Sequence, residues 1–279
     1  MATAILFPGQ GSQTPEMRDT VARVRPDLLV RVIQVIGEDP FPRIDDGTAF
    51  AQPAIFCASI AGWCALGRPD AEFMAGHSLG ELGALVAAGA LTERDGLSLV
   101  ALRGRLMQEA GETAGDGGMI ALMGRSIGDL DGAGELAAAH GLWIANDNSP
   151  HQMVLAGPRA RLPAVEQAAR EAGLRAMILP VTGAFHSPMM ESAVARFAEA
   201  LRTVEISPTE ATVVSAVTAQ PFDDVRDRLV QALTSPVRWR ESLLTMHKHG
   251  VERFVEVGPG KVLSGLAKRT LKDVELASA

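Results

Sequence analysis

Residues that often carry specialised chemistry are scarce in this chain. It has no tyrosine, 4% aromatic residues and two cysteines among 279 residues. Cys57 and Cys64 are seven positions apart in a segment with helical spacing, which separates their Cα atoms by about 10 Å, too far for a disulfide. We expect both to be buried apolar residues in a reducing compartment, and a catalytic cysteine is disfavoured.

Long apolar runs and a basic N-terminal segment are also missing. No stretch approaches about 18 uninterrupted apolar residues, so no membrane span is expected. The opening MATAILFPG has no basic region and no sustained apolar core, so a signal peptide is not expected. We therefore expect a cytoplasmic location. The formal charge of −7 disfavours nucleic acid and anionic membranes as partners, and 47% apolar residues indicate a folded globular protein.

Buried strands and amphipathic helices alternate along the chain, which predicts an α/β fold with a mostly parallel sheet. Thr92 is expected to cap the long helix that follows it, with Asp95 three residues on. The elements predicted outside residues 116–183 are strands at 4–7, 71–76, 211–216 and 254–257, and helices at 52–66, 81–90, 92–110, 189–204, 224–233, 235–248 and 261–271.

A glycine-rich segment at residues 111–118 predicts a flexible joint, after which the rhythm changes. The next elements follow the order β-α-β-β-α-β, the ferredoxin-like pattern. We therefore predict a small α+β subdomain at 116–183 inserted into a large catalytic subdomain formed by 1–115 and 184–279. The inserted elements are strands at 119–123, 142–145, 153–156 and 176–181, and helices at 127–140 and 161–172.

The segment GHSLG at 76–80 fits G-x-S-x-G between a predicted strand and a predicted helix. Such a turn exposes a serine hydroxyl at the sheet edge. The following helix is expected to begin at the serine, so that its N-terminal amides favour negative charge there. This favours Ser78 as a nucleophile, and an ordinary glycine-rich turn is the alternative.

A serine nucleophile needs a base, and the chain has six histidines. His186 is the preferred candidate because it is expected to end a strand and to open the next helix where the small subdomain rejoins the large one, and ligands bind in such clefts. His77 is expected to point away from the elbow. His247 and His249 make a poor metal pair because residues i and i+2 of a helix do not face each other.

Arg103 falls within an apolar helical stripe that includes Leu99 and Leu106, whereas Arg105 falls outside it. An inward arginine requires an acid partner, because a buried unpaired charge is costly. Two partners fit: a carboxylate of the protein itself, or the carboxylate of a substrate such as a malonyl thioester.

The loop FPGQGSQ at 7–13 follows the first strand, and its glycines allow backbone amides to approach a ligand. Such a loop suits an oxyanion hole completed by the amide of Leu79, and a plain connecting loop is the alternative. The segment GPGK at 258–261 lacks the length and the hydroxyl of a P-loop and predicts a turn.

Taken together, these segments resemble the malonyl-CoA:acyl-carrier-protein transacylases over nearly the whole chain. The family combines a hydrolase-like α/β domain with a ferredoxin-like insert. The motifs that carry the resemblance are LFPGQGSQ (6–13), GHSLGE (76–81), RGRLMQ (103–108), NDNSP (146–150), GAFHSP (183–188), SPVRW (235–239) and EVGPGKVLSG (256–265).

The resemblance implies a role for each matching residue. Ser78 would be the nucleophile and His186 its base, while Arg103 would bind the malonyl carboxylate. The backbone amides of Gln10 and Leu79 would form the oxyanion hole.

Three further positions follow from the same match. Asn148 would lie near the base and the acyl group. Phe185 and Leu79 would favour malonyl over α-methyl-branched groups. Ala232 occupies a position that is usually Gln or Asn, and its backbone carbonyl would orient His186.

The implied reaction is a ping-pong transfer from malonyl-CoA to the phosphopantetheine thiol of an acyl carrier protein, supplying fatty acid or polyketide synthesis without metal or cofactor. Carrier proteins are generally acidic, so Lys268 and Arg269 are candidate docking residues. The alternatives are a serine esterase or thioesterase, a carrier-loading transferase of a malonate decarboxylase, and a carrier-binding scaffold with an inactive site.

Overall fold

Two β-sheets of different character organise the protein. The computed structural model describes residues 1–113, 115–125 and 128–278. The strands are β1 (Ala2–Phe7), β2 (Phe73–Gly76), β3 (Gly117–Met123), β4 (Trp143–Ser149), β5 (Gln152–Pro158), β6 (Arg175–Ile178), β7 (Thr212–Val214), β8 (Val251–Glu256) and β9 (Glu275–Ser278). A five-stranded parallel sheet has the order β7-β2-β1-β8-β9, and a four-stranded antiparallel sheet has the order β4-β5-β3-β6.

Helices pack against the parallel sheet and against the antiparallel sheet, so the fold is mixed α/β. Three short 3-10 turns, Phe41–Arg43, Arg159–Arg161 and Pro188–Met190, join some of them. The helices are α1 (Met17–Val24), α2 (Pro26–Ile36), α3 (Thr48–Ala65), α4 (Gly80–Ala87), α5 (Glu93–Thr113), α6 (Ala133–Ala139), α7 (Leu162–Glu171), α8 (Glu191–Arg202), α9 (Val225–Gln231), α10 (Trp239–Lys248) and α11 (Val262–Thr270).

The central strand β1 defines the edge of the parallel sheet at which a ligand site is expected. Ala4 through Phe7 are fully buried, as expected for a strand covered by helices on both faces of a parallel sheet. Strands β2 and β8 flank it in parallel register, with Phe7 opposite Gly76. Their carboxyl ends therefore meet at one edge, which is where ligands bind in open α/β sheets.

Helix α3 lies in the main hydrophobic core. By length and composition this helix could cross a membrane, but 78% of it is buried inside the fold. It packs closely against α5, so the apolar character of both helices is accounted for by core packing. Cys57 is buried and Cys64 half-buried along α3, and both thiols are free.

The antiparallel sheet has the chain order β3-α6-β4-β5-α7-β6, which is the predicted β-α-β-β-α-β pattern. Ile120, Leu122 and Leu155 form an apolar cluster with Leu162 and Val165 of α7 on one face of this sheet. The subdomain boundaries proposed at 115/116 and 183/184 stay a prediction.

A short backbone bridge connects the antiparallel sheet to the rest of the chain. Val237 donates its amide to the Ala145 carbonyl at 2.8 Å, and Asp147 donates its amide to the Val237 carbonyl at 2.9 Å. The Asp147 carboxylate also accepts hydrogen bonds from Arg240. These contacts connect the edge strand β4 to the segment around Val237 and Arg240.

The predicted elements are present with shifted ends. The predicted helix 127–140 begins at Ala133, and Ile127 lies outside the described residues; so does Ala114 in the predicted joint 111–118. The predicted strand 176–181 ends at Ile178. Helices α1 and α2 were not predicted, because Arg25 and Pro26 end one helix and start the next, which interrupts the apolar period.

Candidate active site

Ser78 lies in a sharp turn between β2 and α4. Its φ is 56°, in the left-handed region that side chains rarely adopt, and holding a residue there costs about 1–3 kcal/mol. A Cβ on Gly76 would collide with the backbone of Gly80 and Glu81, so only glycine allows the strand to approach the helix this closely. The helix begins at Gly80 and not at the serine as predicted, yet the turn still exposes the hydroxyl at the carboxyl edge of the parallel sheet.

His186 is the histidine that contacts this serine. Its Nε2 lies 2.8 Å from Ser78 Oγ, and its Nδ1 lies 2.8 Å from the Ala232 carbonyl oxygen. A carbonyl can only accept, so Nδ1 carries the proton and Nε2 is free to accept one from the serine. The residue lies in a turn with φ 58° and not at a strand end as predicted, because β6 stops eight residues earlier, at Ile178.

Burial keeps the His186 imidazole neutral. Desolvation, followed by the positive charge of Arg103, lowers the pKa of His186 to about 3. A neutral imidazole is the form that accepts a proton, so the ring can act as a base over the whole physiological pH range.

Arg103 reaches the same hydroxyl from α5. The residue is 3% exposed, and its Nη2 donates to Ser78 Oγ at 3.1 Å while Nη1 donates to Gln52 Oε1 at 2.8 Å. Within residues 1–113, 115–125 and 128–278, no Asp or Glu forms an ion pair with it. Burial lowers the pKa of Arg103 to about 10, so the guanidinium remains a cation at neutral pH, and none of these described residues offers it a bidentate acid partner.

Glu81 is the acidic group whose charge acts on Arg103, and no role for it was predicted from the sequence. It is 1% exposed in the first turn of α4, and its Oε1 accepts the Ala216 amide at 2.8 Å. Desolvation raises the pKa of Glu81 to about 7, opposed by the Ala216 hydrogen bond and by the charge of Arg103. An acidic residue within the otherwise apolar segment GELGALVA was the available signal.

A cavity of about 370 Å³ opens above Ser78 and His186. Its wall includes the other predicted site residues Gln10, Leu79, Asn148 and Phe185. A larger, more open depression of about 460 Å³ lies between α8 and α9 and contains none of the predicted site residues. Size alone therefore does not mark the site, whereas the convergence of polar groups does.

His77 and Asn148 contact each other across the cavity wall. His77 Nε2 lies 2.8 Å from Asn148 Oδ1, and Asn148 Nδ2 donates to Gln152 Oε1 at 3.1 Å. The His77 ring also packs edge-on against Trp239. His77 thus hydrogen-bonds Asn148 and not Ser78, and it links the turn at Ser78 to β4 through Asn148.

The remaining sequence candidates lie outside the cavity. His247 Nδ1 and His249 Nδ1 bond the backbone carbonyls of Val251 and Thr245, so the two rings do not form a pair. Lys268 and Arg269 are exposed on α11, the helix whose Val262, Leu263 and Leu266 line the cavity.

Comparison with known proteins identifies the family. Residues 5–279 match the family described as acyl transferase domain. A malonyl CoA-acyl carrier protein transacylase of Escherichia coli (strain K12) is 37% identical over 295 residues, covering 99% of this chain and 94% of that protein. This chain belongs to the acyl transferase family. Within it, the similarity places the chain among the malonyl-CoA:acyl-carrier-protein transacylases.

Two further similar proteins are a longer polyketide biosynthesis protein and a transacylase in complex with a carrier protein. The polyketide biosynthesis protein ThaF of Burkholderia thailandensis is 38% identical over 282 residues, which are 96% of this chain but 24% of ThaF. The structure of a type II PKS acyl-carrier protein in complex with its malonyl-transacylase, PlMCAT:AntF, matches with a TM-score of 0.89 at 33% identity, covering 100% of this chain and 96% of that one.

Proposed function

We propose that this acyl transferase moves a malonyl group from malonyl-CoA to the phosphopantetheine thiol of an acyl carrier protein. The observation that carries the proposal is the position of Ser78 Oγ, which lies 2.8 Å from His186 Nε2 and 3.1 Å from Arg103 Nη2. A nucleophile, its base and a cation that forms no ion pair with any described Asp or Glu thus meet at one oxygen, where an acidic acyl group would bind. Arg103 is the part of this set for which a simple esterase has no use.

The first half-reaction forms an acyl-serine. As Ser78 Oγ attacks the thioester carbonyl, its proton passes to His186 Nε2, and the Ala232 carbonyl stabilises the imidazolium through Nδ1–H. The backbone amides of Gln10 and Leu79 are proposed to bind the oxyanion. The carbon–sulfur bond then breaks, and the imidazolium returns its proton to the departing coenzyme A sulfur.

The second half-reaction runs the same steps in reverse. His186 Nε2 takes the proton of the carrier thiol, the sulfur attacks the malonyl ester, and Ser78 leaves and recovers its proton. Arg103 is proposed to hold the malonyl carboxylate through both halves by paired hydrogen bonds. Phe185 and Leu79 are proposed to limit space beside the acyl α-carbon, and Asn148 to lie beside the acyl group.

The assembly around this site is part of the same proposal. Residues 1–115 and 184–279 form the catalytic subdomain, and 116–183 the insert that supplies one wall of the cavity. Lys268 and Arg269, exposed on the cavity-lining helix α11, are proposed to meet the acidic carrier protein. The site of action is proposed to be the cytoplasm.

Incubation with malonyl-CoA tests the proposal. We expect intact-protein mass spectrometry to show one stable malonyl adduct that maps to Ser78, disappears in Ser78→Ala and transfers to an added holo carrier protein. Release of free malonate without an acceptor would instead indicate a hydrolase. Absence of both adduct and malonate from the folded wild-type protein would indicate a carrier-binding scaffold.

A further inference from the structure

A directed series of hydrogen bonds connects the active-site arginine to the glycine-rich loop. Arg103 Nη1 donates to Gln52 Oε1 at 2.8 Å, and Gln52 Nε2 donates to Thr48 Oγ1 at 2.8 Å. Thr48 Oγ1 in turn donates to Gln10 Oε1 at 2.8 Å. Every bond points the same way, from the guanidinium toward the loop.

Burial makes this direction the only satisfied arrangement. Thr48, Gln52 and Arg103 are 1%, 2% and 3% exposed, so an unpaired polar atom on any of them is costly. Arg103 has donors only, which fixes the Gln52 amide with its oxygen toward the guanidinium and its nitrogen toward Thr48. The Thr48 hydroxyl must then accept from Gln52, and its single proton is directed to Gln10.

Tight packing between α3 and α5 holds the series in place. Gly104 follows Arg103, and a Cβ at that position would lie 2.7 Å from the Thr48 carbonyl oxygen. One turn further along α5, Gln108 Oε1 accepts the Ala49 amide at 3.2 Å. The first turn of α3 is therefore anchored to the helix that carries Arg103.

We propose that Thr48 is a positioning residue for the malonyl carboxylate. Through Gln52 it sets the orientation of the Arg103 guanidinium, and through Gln10 it keeps that guanidinium in register with the loop that supplies an oxyanion-hole amide. The inference rests on the proposed malonyl transfer. Thr48 touches neither the nucleophile nor the base and acts through its two glutamine partners.

Removing the hydroxyl while keeping the volume tests this role. In Thr48→Val we expect kcat/KM for malonyl-CoA to fall about tenfold, as for loss of one buried hydrogen bond. Acetyl-CoA has no carboxylate to meet Arg103, so its kcat/KM should fall by less than about threefold. Thr48→Ser restores the hydroxyl and should recover the wild-type ratio of the two substrates.

The ratio of the two substrates is measured on one sample, so it does not depend on the fraction of folded protein. The control is Ser59→Ala on the same helix, whose buried hydroxyl has no partner among the described residues; it should leave the ratio unchanged. If Thr48→Val does not fold, Thr48→Ala removes the same hydroxyl with a good helix former and should give the same shift.

Two results would overturn the inference. In one, Thr48→Val and Thr48→Ala keep the wild-type ratio, or lose activity toward both substrates in equal proportion. In the other, Thr48→Ser fails to recover the ratio. Wild-type protein that forms no malonyl-Ser78 would instead contradict the proposed function, so the two failures can be told apart.

Discussion

The guanidinium of Arg103 donates a hydrogen bond to the hydroxyl of Ser78, with Nη2 3.1 Å from Oγ. The same oxygen lies 2.8 Å from His186 Nε2, so the hydroxyl can donate to the imidazole while it accepts from the cation. A positive charge beside the serine oxygen would favour the negative charge that develops if this oxygen attacks a thioester carbonyl. The proposed nucleophile Ser78 would therefore depend on Arg103 even before an acyl group is bound.

Substitution of Arg103 should affect the malonyl substrate most strongly. Loss of a hydrogen bond to a charged group costs about 1.5–3 kcal/mol, so Arg103→Ala should lower kcat/KM for malonyl-CoA by about 10- to 150-fold. Arg103→Lys keeps the charge but cannot form two parallel hydrogen bonds to a carboxylate, so its kcat/KM for malonyl-CoA should lie between those of the wild type and Arg103→Ala. Arg105→Ala, two residues along the same helix with a side chain 60% exposed, is the matched control and should be neutral. Equal activity of Arg103→Ala and Arg105→Ala would contradict the assignment.

The low pKa of His186 predicts activity in acid. A base must be neutral to act, and burial lowers the pKa of His186 to about 3 from an ordinary value near 6.5. We therefore expect kcat/KM for malonyl-CoA to show no loss centred at pH 6.5. Stopped-time assays between pH 5 and 8 would measure this profile on the free enzyme.

Glu81 is the confounding group in that pH range, because burial raises its pKa to about 7. The same pH profile measured in Glu81→Gln separates the titration of Glu81 from that of His186. A histidine-type limb near pH 6.5 that persists in Glu81→Gln would show that the imidazole titrates normally and would contradict the prediction.

Glu81 should also make stability fall as pH rises. Its folded pKa of about 7 lies above the ordinary 4.5, so the folded state binds more protons than the unfolded state between those values, and the contribution present below pH 4.5 is lost through pH 7. Relative to Glu81→Gln, the free energy of unfolding of the wild type should decrease by on the order of 1 to 3 kcal/mol from pH 4.5 to 8. Urea denaturation of both proteins measures it. His186 contributes with the opposite sign, and its contribution cancels in the difference. A difference that does not change with pH would indicate an ordinary carboxylate.

The features that were predicted correctly are those that short-range patterns in the sequence encode. The β-α-β-β-α-β order follows from periodicity and turn residues, and the inward direction of Arg103 follows from its place in an apolar stripe. Its exposed fraction of 3% agrees with that placement. The resemblance to a known family paired Ser78 with His186, although 108 positions separate them, and the two side chains are in contact.

The contacts that tune the site could not be predicted in the same way. Gln52 reaches Arg103 from 51 positions away, and Glu81 reaches the Ala216 amide from 135. Such pairs are set by how α3, α4 and the loop after β7 pack, and no local period encodes that. The left-handed φ of His186 belongs to the same group, because no local pattern in the sequence encodes it.

The ion pair between Asp147 and Arg240 yields a last prediction, about stability. Burial raises the pKa of Asp147, and its Oδ1 has no partner among the described residues, so the hydrogen bonds that the carboxylate accepts from side chains come from Arg240 and reach Oδ2. Arg240→Ala should lower the free energy of unfolding by about 1–3 kcal/mol, the cost of a buried polar group without a partner.

The control for this pair is Arg253→Ala, whose pair with Glu275 is exposed at 46% and 53% and should contribute less than about 1 kcal/mol. Adding Asp147→Asn to Arg240→Ala removes the unpaired charge, so the double variant should recover part of the loss in urea denaturation. If the double variant is no more stable than Arg240→Ala, the loss comes from the packing of the arginine side chain and not from the carboxylate. The backbone bridge at Val237 would then be what holds β4 beside the large sheet.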